Sequence, residues 1–156
     1  MRKSAAKKRG IEPDPRYKDV TVTSFVNNMM VSGKKSTAFA IFYEAMDRLD
    51  KGDHEEDGYN LWKKALANVS PQVEVRSRRI GGATFQIPTE IRADRKLAQG
   101  MKWLIRVARE RRGKSMGEKL AAEILAASKG EGAAVKKKEE THRMADANKA
   151  FSHFRV

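Results

Sequence analysis

Between Pro71 and Arg92 the chain reads P-Q-V-E-V-R-S-R-R-I-G-G-A-T-F-Q-I-P-T-E-I-R. Polar and apolar residues alternate on both sides of Gly81-Gly82, and Val73, Val75, Ile80, Thr84, Phe85 and Ile87 are of the β-branched and aromatic types that strands favour. Two glycines between such runs supply the positive φ angles of a two-residue hairpin turn. With Gly81 and Gly82 as the turn, Ile80 faces Ala83, Arg78 faces Phe85 and Arg76 faces Ile87. Side chains alternate across a strand, so Arg76, Arg78, Phe85 and Ile87 share one face and Arg79 points the other way with Thr84. A lone hairpin is marginally stable, so this ribbon needs a body to lie on.

The sequence around it supplies one. Asp19 caps a first helix with Val22, Phe25, Val26, Met29 and Met30 at helical spacing, stopping near Gly33. Gly33-Lys34-Lys35-Ser36 is a turn with an N-cap serine before a second helix, whose stripe is Ala38, Ile41, Phe42, Ala45 and Leu49. A glycine and two lysines at a helix N-terminus suit a phosphate, although the spacing is not that of a nucleotide-binding P-loop. A third helix follows Asp57 with Trp62, Ala65, Leu66 and Val69 inward, and Pro71 ends it. A fourth, over 91–112, turns Leu97, Met101, Leu104, Ile105 and Ala108 inward. Lys102, Arg106 and Arg109 form its second stripe, Arg111, Arg112 and Lys114 crowd its exit, and Trp103 reads as core or half-buried. Ser115 and Glu118 are spaced as a capping box for a fifth helix, with Leu120, Ala121, Ile124 and Leu125 inside and Gly130 at its close. A last helix over 133–154 begins charged, at Lys136 to Glu140 and Arg143, and turns apolar at Met144, Ala147, Phe151 and Phe154. The expected fold is mostly α: a six-helix body with a protruding two-stranded β-ribbon between helices three and four, in a single domain over 1–156. Residues 1–18, with Arg2, Lys3, Lys7, Lys8 and Arg9 before Gly10, Pro13 and Pro15, read as a flexible basic arm.

Charge narrows the function. Lysine and arginine number 33 against 20 acids in 156 residues, a formal net charge of +13. That surplus repels itself and attracts polyanions. No apolar run approaches the roughly 18 residues of a membrane span, which argues against a membrane partner. There are no cysteines, so disulfides and thiolate chemistry are excluded. His54, His142 and His153 stand in no nucleophile or zinc spacing. The acidic loop 53–57 lacks the spacing and glycine of a calcium loop. His142 and Glu139-Glu140 read as surface residues. An enzyme, a metal and a cofactor are therefore not expected.

The segments G-K-K-S-T-A (33–38), N-V-S-P-Q-V-E-V-R-S-R-R-I-G-G-A-T-F-Q-I-P (68–88) and H-R-M-A-D-A-N-K-A-F (142–151) closely resemble the bacterial type of small-subunit ribosomal protein seven. The likeness spans essentially the whole chain. It implies a cytoplasmic structural constituent of the small ribosomal subunit that binds the 3′ major domain of its 16S-type rRNA and starts assembly of the head. It implies neighbouring small-subunit proteins as partners, and a ribbon and last helix near exit-site tRNA and the mRNA exit path.

Carried over by position, the rRNA-binding candidates are Arg2, Lys3, Lys7, Lys8, Arg9, Lys34, Lys35, Arg76, Arg78, Arg79, Arg92, Arg95, Lys102, Arg109, Arg111, Arg112 and Lys114. Those near tRNA and mRNA are Arg79, Gly81, Gly82, Arg143 and Lys149. Many relatives end in an aromatic after H-Y-R, whereas this chain ends His153-Phe154-Arg155-Val156, so no stacking role is carried to its last residue. The competing reading, a DNA-bending ribbon protein, calls for a dimer and an apolar wedge at the ribbon tip. A Gly-Gly tip cannot wedge between bases, which favours RNA and a protein that is monomeric off the ribosome.

Overall fold

The computed structural model describes residues 9–52 and 56–154. Its elements are α1 (Val20–Met29), α2 (Lys35–Asp50), α3 (Gly58–Val69), β1 (Val73–Ile80), β2 (Ala83–Glu90), α4 (Ala93–Glu110), α5 (Met116–Ser128) and α6 (Ala133–Ala147), followed by a 3-10 segment, Lys149–Phe154. The six helices and the ribbon between α3 and α4 appear in the expected order.

The helical stripes meet in one core. Phe25, Phe42 and Trp62, from α1, α2 and α3, are fully buried, and both phenylalanines stand edge-on to the indole with centroids 5.6 and 5.3 Å away. Burial of a phenylalanine contributes about 1.5–3 kcal/mol, and edge-to-face contact adds to it. α5 lies at the centre, touching α2, α3, α4 and α6. Its small residues explain why. A Cβ on Gly117 would come within 2.5 Å of the Glu44 carboxylate, so glycine lets the start of α5 approach α2 with Glu44 in its present position. The Ser115 hydroxyl accepts from the Glu118 amide at 3.1 Å and donates to Glu44 at 2.9 Å. The return arm of the box lands one residue early, with the Glu118 carboxylate accepting from the Lys114 amide at 3.2 Å. At its other end α5 closes in a Schellman motif: Gly130, at φ +80°, donates to Ala127 and Glu131 donates to Ala126.

One buried charge joins three helices. Glu123 of α5 has no exposed surface. One carboxylate oxygen pairs with Arg111 at the end of α4, and the other accepts from the Ala134 amide in the first turn of α6 at 3.0 Å. Gly132, at φ +93°, allows the approach, since a Cβ there would sit 2.9 Å from Glu123 Oε1. α6 is further held by Lys138, which donates to the Asn68 carbonyl at 2.6 Å, while Asn68 donates to the last carbonyls of α5, Ala127 at 2.9 Å and Ser128 at 3.1 Å.

The ribbon has the expected register, Arg76 opposite Ile87, Arg78 opposite Phe85 and Ile80 opposite Ala83. Gly81 and Gly82 take φ +55° and +89°, as a type I′ turn requires. Its base is tied down by the Ile91 amide on the Gln72 carbonyl (3.3 Å) and by the Gln72 amide on His142 Nε2 (3.2 Å). Ile87 is buried, and Phe85 packs against Phe151 of the 3-10 segment.

Several expectations need correction. The arm does not extend to residue 18: Asp14 is buried, accepting from the amides of Arg16, Tyr17 and Asp19 and from the Tyr43 hydroxyl, and Tyr17 stacks on Tyr59 at 4.6 Å. Residues 1–8 lie outside the described residues, as do residues 53–55 of the acidic loop. α1 ends four residues before Gly33, and α2 starts at Lys35 with Lys34 at the cap position and no side-chain cap, so Ser36 is not its N-cap. α4 is shorter than 91–112, and Leu97 is 38% exposed because the stripe turns outward near the ribbon base. The last helix is not continuous to 154: it stops at Ala147, and its buried residues are Ala134, Val135 and Ala145, while Met144 is 49% exposed. His142 is half-buried as an acceptor rather than a free surface residue.

Two outcomes follow from this architecture. Glu123→Ala leaves the buried Ala134 amide without its acceptor, and Arg111 can turn to solvent, so urea unfolding should show a loss of about 1–3 kcal/mol. Burial alone would raise the Asp19 carboxyl, but hydrogen bonds from Tyr59 (2.6 Å), Thr21 (2.7 Å) and Lys63 hold it at about 2, down from 3.8. A depressed carboxyl stabilises the fold above its unfolded value and ceases to as pH falls through its folded value. The contribution of Asp19 is thus intact above about pH 4 and disappears toward pH 2. Tyr59→Phe should raise the Asp19 titration seen by NMR and move acid unfolding to higher pH; an unchanged titration would contradict the assignment.

Candidate nucleic-acid interface

A helix turns 100° per residue, so positions three and four apart fall in a row. On α4 that row is Arg95, Gln99, Lys102, Arg106 and Arg109, about 21 Å long at 1.5 Å per residue. The row spans two depressions. At the ribbon base, Arg95, Gln99 and Trp103 line a cleft with Val73, Glu74 and Val75. Farther along, Gln99, Lys102, Trp103, Arg106 and Arg109 line an open groove with Asn28 of α1. Gln99 and Trp103 border both, so cleft and groove form one continuous face.

Each end of the row is fixed by a specific contact. Arg109 donates through Nη2 to the Met29 carbonyl at 2.8 Å, closing the C-terminus of α1. This sets the row beside the loop that leads to Lys34 and Lys35. In that loop Ser32 and Gly33 both take positive φ, +53° and +73°, and Lys35 then lies 5.8 Å from the centre of the Phe39 ring. Lys34 and Lys35 are exposed there. At the other end, Arg95 donates through Nε to Glu74 Oε2 at 2.6 Å, and Arg76 pairs with the other oxygen of the same carboxylate. Burial pushes Glu74 upward, but the two guanidinium groups outweigh it and its carboxyl lies below the ordinary value.

The structure divides the sequence candidates. Lys102 and Arg109 are brought to this face, Arg95 and Arg76 reach it through Glu74, and Lys34 and Lys35 are exposed at the end of the loop that follows α1. Arg78 and Arg79 stand on opposite faces of the exposed outer ribbon, with Gly81 and Gly82 at the tip. Arg92 is at the N-cap position of α4, and Arg112 and Lys114 are exposed on the α4–α5 link. Arg143 and Lys149 are exposed on α6 and the 3-10 segment, and Arg9 is exposed at the start of the described chain. Arg2, Lys3, Lys7 and Lys8 lie outside the described residues. Arg111 differs from all of these: only 35% exposed and bound to Glu123, it is part of the fold.

Four residues of the face are absent from the sequence candidates. Arg106 was legible as part of the second α4 stripe and Trp103 as a core or half-buried ring, which it is, whereas Asn28 and Gln99 gave no signal, since neutral polar residues carry no charge pattern. Two acids border the row, Glu74 in its pair with Arg95 and Glu110 on the groove lining, and several others pair elsewhere. Asp47 pairs with Arg16 at 2.6 Å, Glu44 with Arg48 at 3.0 Å and Glu56 with Lys64 at 3.0 Å, all on α2, α3 and the segments flanking them. No helix is long and apolar enough to cross a membrane among the described residues.

A family model described as ribosomal protein S7p/S5e matches residues 1–149. Among curated proteins, the small ribosomal subunit protein uS7 of Cytophaga hutchinsonii is 64% identical over 155 residues, covering 99% of each chain. Those of Flavobacterium psychrophilum and Porphyromonas gingivalis are 63% and 59% identical over 157 aligned residues, each again covering 99% of both chains. Coverage on this scale leaves no part of the body or ribbon outside the likeness: the chain belongs to the ribosomal protein S7p/S5e family.

Proposed function

We propose that this protein is a structural, non-enzymatic constituent of the small ribosomal subunit in the cytoplasm, and that it holds rRNA on the face running from the Lys34–Lys35 loop along α4 to the ribbon. The observation that carries the reading is the α4 row: three cations, Lys102, Arg106 and Arg109, along one groove with a half-buried indole beside them. Arginine forks and lysine ammonium groups engage phosphate oxygens, and polar side chains between them accept or donate to sugars and base edges. In this reading the protein binds the 3′ major domain of the rRNA, starts assembly of the head, and touches neighbouring subunit proteins. Arg79, Gly81, Gly82, Arg143 and Lys149 then lie toward exit-site tRNA and mRNA, and the protein off the ribosome is a monomer.

Cationic contacts to phosphate release counterions on binding. With about six phosphates engaged, the slope of log affinity against log salt for an rRNA fragment should be about −4 to −5. A nearly flat slope would contradict a phosphate-dominated interface. Co-sedimentation with small subunits at high salt tests the assignment itself, and absence from the small-subunit fraction would overturn it.

The ribbon arginines should not contribute equally. Arg79→Ala and Arg78→Ala each remove a charge-assisted contact worth on the order of 1.5–3 kcal/mol of rRNA binding, with the melting temperature of Arg79→Ala unchanged. Arg76 already shares Glu74 with Arg95, so Arg76→Ala should cost less binding and a little stability. Titrations and thermal melts of the three single variants check the order.

A further inference from the structure

We propose that the Phe85 ring is a stacking subsite for one unpaired RNA nucleobase, and that Phe151 of the 3-10 segment fills it in the free protein. The proposal rests on the rRNA-binding reading and adds a base-stacking contact to an interface otherwise described by phosphate and hydrogen-bond contacts. Phe85 and Phe151 form a ring pair with centroids 5.1 Å apart and planes at 56°. Both rings are half-buried and stand outside the aromatic cluster of the body. Phe85 lies directly across the ribbon from Arg78, and the next pair on that face is Arg76 with the buried Ile87. A ring that shares its ribbon face with two arginines and a buried isoleucine matches one nucleotide: the base stacks on the ring and its flanking phosphates meet the arginines. Glu74 answers only one of the two charges of Arg76 and Arg95, so this side of the ribbon stays net basic, which disfavours a basic protein extension and favours RNA.

The segment that covers the ring is built to move. Lys149–Phe154 is 3-10 rather than α, with poorer hydrogen-bond geometry, and it touches only β2 and α6 among the described elements. Asn148 breaks the helix before it, so the segment can swing away while α6 stays held by Glu123 and Lys138. A base and Phe151 cannot occupy one ring face together, which makes the C-terminal segment a competitor for single-stranded RNA.

The test uses the full chain with labelled decauridylate at fixed low salt, and an abasic ribose-phosphate strand of equal length. Phe85→Leu keeps the apolar cover of Ile87 but removes the ring; it should weaken decauridylate binding by roughly 5- to 100-fold and leave the abasic strand unaffected. Phe151→Ala should tighten decauridylate binding several-fold, and should do nothing in the Phe85→Leu background. Phe85→Tyr retains the ring and should bind as the parent, so it and Phe151→Ala decide the matter if Phe85→Leu melts. Wild-type affinity in Phe85→Leu, an equal loss on both strands, or weaker or unchanged binding in Phe151→Ala overturns the subsite. The parent chain is titrated in parallel with a 3′ major domain rRNA fragment. Failure there sinks the ribosomal reading, whereas full rRNA binding alongside an indifferent Phe85→Leu sinks the subsite alone.

Discussion

The Glu123 carboxylate is the interaction on which the arrangement of this protein depends. It is ionisable and wholly buried, a state that is costly unless partners surround it. Arg111 and the first turn of α6 provide them. That requirement fixes where α4 ends and where α6 begins, and Gly132 is the residue that permits the approach. The direction of α6 then determines what the ribbon can rest on. His142 of α6 receives the Gln72 amide, and the segment beyond α6 covers Phe85. A charge in the body thus bears on the geometry of the candidate interface assembled from the ribbon and α4.

A surplus of thirteen positive charges also works against a compact fold through self-repulsion. The pairing pattern indicates how repulsion is kept tolerable. Glu74 bridges two arginines at the ribbon base, and Asp47 and Asp50 both face Arg16, which also lies over the Tyr17 ring. Exposed pairs of this kind contribute little individually. Their effect here is to orient the guanidinium groups and lower local potential while leaving Lys102 and Arg106 on the open groove. The same economy appears at Arg109, which serves as the cap of α1 through one nitrogen and as part of the groove through the rest of its fork.

The ribbon was legible to the residue: alternation and a Gly-Gly pair give register because side-chain period and turn length are local properties. The inward stripes of α1, α2 and α3 were legible for the same reason, whereas the end of α1 and the cap of α2 were not. The site was legible only as charge. Pattern placed Arg111 with the RNA-binding cations, although its partner Glu123 is twelve residues away on another helix. Pattern also placed residues 14–18 in a mobile arm, because nothing near Asp14 announces that Tyr43 and three amides will surround its carboxylate.

The sequence by itself determined the helices, the hairpin with its facing pairs, the basic character and the family, since each is written in residues adjacent along the chain or one turn apart. The tertiary structure alone decided which cations are spent on the fold and which face outward. It also decided that Asn28, Gln99 and Trp103 share a groove with the α4 row, and that the chain after Ala147 turns back over Phe85. Those outcomes depend on contacts such as Lys138 with Asn68 or Arg109 with Met29, 70 and 80 residues apart. No local periodicity encodes them, because they form only once burial of the shared core has brought the helices together.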